Sequence, residues 1–203
     1  MKITKIEQQK KRQDRYSIYV GDEYAFSLSE SQLATAGLGK GQELSPEELK
    51  DWQSSSEYGK AYDRALKYLA IRPRSQFEMS TYLDRKDYEP EIKEKVLKEL
   101  KKNGYLDDNK FAEAWVSWRM NIGTKSRQQI QAELIKKRVP REITEQVLAS
   151  IETEAELENL KQLIATKQKQ SRYQEKQKLM AYLARKGFNY GLIKQAFEEL
   201  DLE

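Results

Sequence analysis

Apolar and polar positions follow two rhythms along this chain. Between residues 16 and 28 they alternate: Tyr16, Ile18 and Val20, then the pair Gly21-Asp22, then Tyr24, Phe26 and Leu28. Period-two patterning on both sides of a two-residue turn predicts a β-hairpin, with a further strand expected near Lys2 to Gln8. SESQLATAGLGKG then reads as a short helix closed by Gly37 in the left-handed conformation, with Leu38 folding back onto Leu33. The GLGKG run lacks the spacing and the following Ser/Thr of a phosphate-binding loop, and reads as turn and cap.

From Ser45 onward the rhythm becomes helical. Ser45-Pro46-Glu47-Glu48 joins an N-cap, a proline at the first helical position and a capping-box glutamate. The helix it starts runs through Leu49, Trp52, Tyr62, Leu66 and Leu69, has SSSEYG as its candidate break, and ends before Pro73. After it one phrase occurs three times: SQFEMSTYLDRKDYEPEIKEKVLKEL, SRQQIQAELIKKRVPREITEQVLASI and EKQKLMAYLARKGFNYGLIKQAFEEL, offset by 51 and 49 residues. Aligned without gaps, Met79, Ile130 and Leu179 share a core position. So do Leu83, Leu134 and Leu183; Ile92, Ile143 and Leu192; Leu97, Leu148 and Phe197; and Leu100, Ile151 and Leu200.

The punctuation repeats as well. Ser75-x-x-Glu78 and Ser126-x-x-Gln129 are capping boxes, and Pro90 and Pro140 stand where the next helix begins. Between the paired helices, Asp87, Arg138 and Gly187 are expected to be left-handed so that Tyr88, Val139 and Phe188 fold back onto Leu83, Leu134 and Leu183. Arg138 there should cost about 1 kcal/mol relative to glycine. A further helix precedes each phrase (AYDRALKYLAIR, KFAEAWVSWR, AELENLKQLIATK), so each unit is three short helices that are marginal alone. Stacked neighbours then supply the stability, and the expected fold is mostly α: tandem three-helix repeats in an elongated, curved array behind a small N-terminal β-hairpin segment. The expected organisation is residues 1–44 for the hairpin and short helix, 45–106 for repeat 1 with its lead-in helix, 107–152 for repeat 2 and 153–203 for repeat 3.

Composition removes whole classes of chemistry. With no Cys and no His in 203 residues, the chain has no disulfide, no Cys/His zinc site, no Ser-His-Asp triad and no thiol nucleophile. No apolar run approaches a membrane span and the N-terminus lacks an apolar signal core, so a soluble cytoplasmic protein is expected. Net charge is only +4 with 34% charged residues, which permits nucleic-acid contact without requiring it.

Since the repeat cores are structural, function is sought among exposed residues that recur. Arg85-Lys86, Lys136-Lys137 and Arg185-Lys186 follow the second helix of each copy. Cations at a helix C-terminus are favoured by the macrodipole, by roughly 0.3 to 1 kcal/mol; the functional reading is a basic track matching a polyanion or an acidic periodic surface. Arg72 and Arg74, and likewise Arg119, Lys125 and Arg127, flank the loop ahead of the second helix, whose N-terminus repels cations. A partner-contact role is expected for them, because no structural need for so many cations is evident. Lys10, Lys11 and Arg12 read as a solvated turn. Asp107-Asp108 with Glu113 resembles a nuclease metal site, but an N-cap for a helix starting near Asn109 explains the pair more cheaply. Tyr68 and Trp115 match the core position Leu163, which leaves Trp118 as the open aromatic.

The stretches ALKYLAIRPRSQFEMSTYL (65–83) and GYLDDNKFA (104–112), then Arg119, Gly123, SRQQIQAEL and RKGF (185–188), together resemble the RecX family of recombination regulators over residues 61 to 200. The N-terminal segment is similar to the extension of its longer members. One departure is Lys137-Arg138-Val139, where the family often has Lys-Gly before an apolar residue. The resemblance implies a non-enzymatic monomer without cofactor or metal. Such proteins are tandem three-helix repeats that bind in the groove of the RecA–DNA filament, touching RecA and its single-stranded or duplex DNA, and restrain ATP hydrolysis and strand exchange during recombination and SOS repair. Longer members continue into further helices past this point. The alternatives from other classes are a free-standing helical-repeat protein that binds duplex DNA without RecA, and a phosphodiester-cleaving enzyme dependent on Asp107.

Overall fold

The computed structural model describes residues 1–202; Glu203, the last residue of the third expected repeat, lies outside them. The described residues form ten α-helices and one three-stranded antiparallel sheet, so the chain is mostly helical. They divide into two compact units: residues 1–73 with 79–105, and residues 74–78 with 106 onward.

In the first unit, β1 (Ile3–Gln8), β2 (Arg15–Val20) and β3 (Glu23–Ser29) lie in that order, and the pairing of Val20 with Glu23 leaves Gly21-Asp22 as the turn. Alternation buries Ile18, Phe26 and Leu28 with Ile3 and Leu44, and Leu33 and Leu38 pack against the same cluster. α1 (Glu30–Ala36) carries a full capping box at Ser29 and closes at Gly37, φ 61°. The GLGKG run turns back along β1, with Ile3 N–H donating to the Gln42 carbonyl and Gly41 N–H to the Ile3 carbonyl, both at 2.8 Å.

α2 (Pro46–Ile71) starts at the Ser45 capping box and continues unbroken through SSSEYG. Ser56 and Gly59 occur there because other elements approach closely. Ser56 Oγ donates to the Ser27 carbonyl at 2.6 Å and accepts from Ser27 N–H at 3.1 Å, while a Cβ on Gly59 would meet the Gln32 amide at 2.9 Å. Asp63, one turn further along, accepts from Arg12 at 3.0 Å and from the buried Arg15 at 3.1 Å. Arg12 is thus docked on α2 instead of lying in a solvated turn; Lys10 and Lys11 remain exposed. α3 (Gln76–Asp84) and α4 (Pro90–Lys102) complete the first repeat around buried Ala61, Ala65, Met79, Leu83, Val96 and Leu100.

The second unit contains α5 (Asp108–Ile122), α6 (Arg127–Lys136) and α7 (Arg141–Ala149), then α8 (Thr153–Gln168), α9 (Lys176–Arg185) and α10 (Tyr190–Glu199). Each triplet encloses its own apolar cluster. In α8, Lys161 lies between Glu158 and Glu199, and these carboxylates hold its ammonium protonated well above the usual lysine range.

The repeat register holds at Met79, Ile130 and Leu179 and at Leu83, Leu134 and Leu183, all fully buried. On the third helices the buried position is Val96, Val147 and Ala196, one residue before the expected Leu97, Leu148 and Phe197. Residues 92, 96 and 100 recur every four positions and form a straighter stripe than 92, 97 and 100. Leu97 and Leu148 are half-buried; Phe197 is buried too. The inter-helix turns are left-handed as expected at Asp87 (φ 55°), Arg138 (φ 54°) and Gly187 (φ 82°). Val139 N–H reaches the Leu134 carbonyl at 3.1 Å and Phe188 N–H the Leu183 carbonyl at 3.3 Å, the bonds that let an apolar residue fold back over the helix end.

One joint occurs twice within the second unit. Ser126 Oγ accepts from Gln129 N–H at 3.2 Å and donates to the carbonyl of Lys186, where α9 ends, at 2.7 Å. Beside it, Glu156 of α8 accepts from Arg127 N–H at 3.1 Å. In the segment 74–78, Ser75 Oγ accepts from Glu78 N–H at 3.2 Å and donates to the carbonyl of Lys137, where α6 ends, at 2.9 Å, while Asp108 accepts from Gln76 N–H at 2.9 Å. Both serines are completely buried. Each hydroxyl uses its donor and an acceptor site, closing the start of one helix and the end of another.

Ser126→Ala removes a cap worth about 1 kcal/mol and takes the partner from a part-buried carbonyl, worth about 1 kcal/mol more. Ser45, an exposed cap with no second partner, should lose only about 1 kcal/mol on the same change. Urea unfolding of both variants is expected to give that order. Arg138→Gly is expected to raise stability, by up to about 1 kcal/mol, by relieving the left-handed strain.

Candidate functional site

The eleven cations singled out by the sequence fall into four settings. Arg119, Lys125, Arg127 and Lys137 have carboxylate partners inside the second unit. Glu133 of α6 accepts from Arg119 Nε at 2.7 Å and from the Trp115 indole at 3.0 Å, and Lys125 Nζ stands 3.4 Å from its other oxygen. Arg127 pairs with Glu156 at 2.7 Å and donates to the Ile151 carbonyl at 2.7 Å; Lys137 pairs with Glu78 at 2.6 Å. Arg119 and Lys137 also lie over the Trp115 ring, 4.9 and 4.2 Å from its centre. The loop ahead of the second helix therefore does have a structural use for its cations.

Lys86 and Lys186 are stretched over the tyrosine four residues earlier, Tyr82 at 5.9 Å and Tyr182 at 5.6 Å. In repeat 2 the matching position holds Glu133, which is why this copy alone gathers Arg119, Lys125 and Trp115 around a carboxylate. Arg85, Lys136 and Arg185 are exposed and have no carboxylate partner among the described residues. Arg72 donates to the Pro73 carbonyl at 2.9 Å and, like Arg74, is half-buried.

The acidic pair is structural. Asp107 caps α5, accepting from Asn109 and Lys110 N–H at 2.8 and 3.2 Å, and Asp108 is buried on Gln76 N–H. No group of three or more acidic side chains among the described residues could hold a metal ion. Tyr68 stacks on Tyr82 at 4.1 Å, Trp115 packs against the repeat core, and Trp118 remains 48% exposed with the Arg119 guanidinium 4.3 Å from its ring centre. None of the described helices is long and apolar enough to cross a membrane.

These triplets can now be compared with known proteins. The family model for the RecX N-terminal domain matches residues 1–45, and those for the first, second and third RecX three-helix domains match 61–100, 107–148 and 154–197. The chain belongs to the RecX family. Relatives named regulatory protein RecX include that of Lactobacillus johnsonii, 35% identical over 99% of this chain and 75% of the relative, and that of Halalkalibacterium halodurans, 34% identical over 99% and 79%. A crystal structure of regulatory protein RecX matches with TM-score 0.77 and 30% identity, covering 97% of this chain and 98% of the other. The RecX structure from Lactobacillus salivarius matches with TM-score 0.66 and 25% identity over 73% of this chain and 99% of the other.

In this RecX chain, the residue that sequence reasoning passed over is Glu133. Its signal was available: it breaks the aromatic series set by Tyr82 and Tyr182 at one repeat position. A double-mutant cycle on Arg119→Gln and Glu133→Gln is expected to give a coupling energy of about 0.5 to 2 kcal/mol in urea unfolding. A coupling near zero would remove Arg119 from the framework and leave it wholly to a partner.

Proposed function

We propose that the chain binds RecA–DNA filaments and restrains RecA's ATP hydrolysis and strand exchange, as a non-enzymatic, monomeric, cytoplasmic regulator of recombination and SOS repair. The observation that carries this reading is the cation at the end of the second helix of every repeat. Arg85, Lys136 and Arg185 keep one place in three copies of one fold, stand in solvent and pair with no carboxylate among the described residues. Cations repeated by the fold suit a partner that is itself repetitive and anionic, as a nucleoprotein filament is. The remaining candidates divide between framework and contact: Arg119, Lys125, Arg127 and Lys137 are held by carboxylates of the second unit, while Arg72, Arg74, Lys86 and Lys186 are further contact residues. Membership in a family of regulatory proteins supports the same reading. Asp107 and Asp108 are already engaged with backbone amides, so the phosphodiester-cleaving alternative has no support in the geometry.

The test is RecA's ATP hydrolysis on single-stranded DNA. Substoichiometric wild-type chain is expected to lower the rate, and the triple change Arg85→Glu, Lys136→Glu, Arg185→Glu to weaken that effect at least about tenfold, or 1.4 kcal/mol, with an unaltered circular dichroism spectrum. A rate unchanged by the wild-type chain at low and at moderate salt would overturn the proposal.

A further inference from the structure

One groove of the first unit includes none of the eleven candidate cations. It runs between α2 and α4, encloses about 690 Å³, and is lined by Ser54, Ser55 and Tyr58 on one side and by Lys95, Lys98 and Lys102 on the other. The three lysines stand at i, i+3 and i+7, so one face of α4 carries a row of ammonium groups about 10 Å long. Glu91 and Glu94 precede Lys95 and Lys98 by four residues, the favourable order for an ion pair. Neither pair closes, although the same kinds of side chain do pair at Lys60–Glu57, Lys161–Glu158 and Lys178–Glu175. Two carboxylates also line the groove, Asp51 and Glu99, and none of the three ammoniums is within ion-pair distance of either. Glu99 instead accepts from the Asn103 amide at 3.1 Å.

The opposite wall is equally unengaged. Ser56 is tied to β3, whereas the hydroxyls of its neighbours Ser54 and Ser55, and of Tyr58, have no hydrogen-bond partner among the described residues. Burial, with Glu99 and Tyr62 nearby, pushes the Tyr58 phenol above its usual range, so it stays an O–H donor at neutral pH. Three cations and three hydroxyl donors thus converge on one open channel. Its length exceeds what a single small anion can use.

We infer that this groove holds the phosphodiester backbone of a nucleic acid strand, with Lys95, Lys98 and Lys102 on successive phosphates and the α2 hydroxyls donating to their oxygens. The inference rests on the proposed function only in its choice of polyanion. It adds a contact surface in the first unit that the repeated helix-end cations do not include.

Fluorescence anisotropy of a labelled oligothymidylate, titrated with the full chain at several KCl concentrations and without RecA, tests it. The variant Lys95→Gln, Lys98→Gln, Lys102→Gln is expected to bind at least about tenfold more weakly, with the slope of log K against log salt reduced by about 2, from roughly 0.7 per lost phosphate contact. Tyr58→Phe should weaken binding a few-fold without changing that slope. The control Lys10→Gln, Lys11→Gln, Lys40→Gln removes the same charge from exposed positions of the same unit and should leave the slope unchanged. Equal losses in the groove variant and the control, wild-type affinity in the groove variant, or no binding by the wild-type chain at low salt would each overturn the inference. Because RecA is absent, a failure here leaves the ATPase result standing, and a failed ATPase test leaves this one intact.

Discussion

The buried serine hydroxyl is the constraint on which the second unit depends. A helix about ten residues long cannot hold itself in water, and its unpaired terminal amides and carbonyls must be satisfied once neighbours cover them. Ser126 meets two of these needs with one atom, accepting at the start of α6 and donating to the end of α9. A hydroxyl is the smallest group that can do both, whereas Asp or Asn at the same place could cap the helix without matching the same approach. Glu156 beside it takes the next free amide, so two repeats meet through satisfied backbone, not through apolar surface alone.

That joint marks where the cations of α6 and α9 stand, and α3 ends in the same left-handed turn. The carbonyl claimed by the serine belongs to Lys137 or Lys186, the residue at which the second helix ends and just before the left-handed turn. A cation is favoured there by the helix dipole, and the chain leaves nearby in a tight reversal that points its neighbours outward. The fold therefore presents Arg85, Lys136 and Arg185 at matching places without any surface device dedicated to it. Lys137 shows the other outcome: its stem lies on Trp115 and its head on Glu78, so it is largely withdrawn from solvent.

Most of this was legible in the sequence wherever a residue type admits few conformations. Gly187 and Gly37, the Ser-x-x-Glu and Ser-x-x-Gln boxes, and Pro73 each dictate a backbone state, and the offsets between copies fixed Arg138 as left-handed although no glycine announces it. What escaped were partners brought in by the fold. Ser56 and Gly59 of SSSEYG look like part of a break when only α2 is considered, but become close-contact residues once β3 and Gln32 lie against them. Arg12 looks solvated until Asp63, 51 residues later, is set beside it. The loop cations of repeat 2 look unused for structure until Glu133 and Glu156 arrive on neighbouring helices. Val96 and Leu97 are both apolar, and only the packed helix decides which one is buried.

The chain's charge balance limits how a polyanion could be held. With 37 basic and 33 acidic side chains, the net field is weak and screened within roughly 10 Å at 0.1 M salt, so long-range attraction contributes little. Under the proposed function, recognition of an anionic filament would rest on the few cations whose positions are fixed and whose carboxylates are elsewhere. The ion pairs of the second unit bear on that proposal, because each glutamate tied to a framework cation, as Glu133 is to Arg119 and Lys125, is one less partner for an exposed cation to find on its own surface. Pairing some cations and leaving others unpaired is therefore one arrangement, in which the first group fixes the helices that hold the second in place.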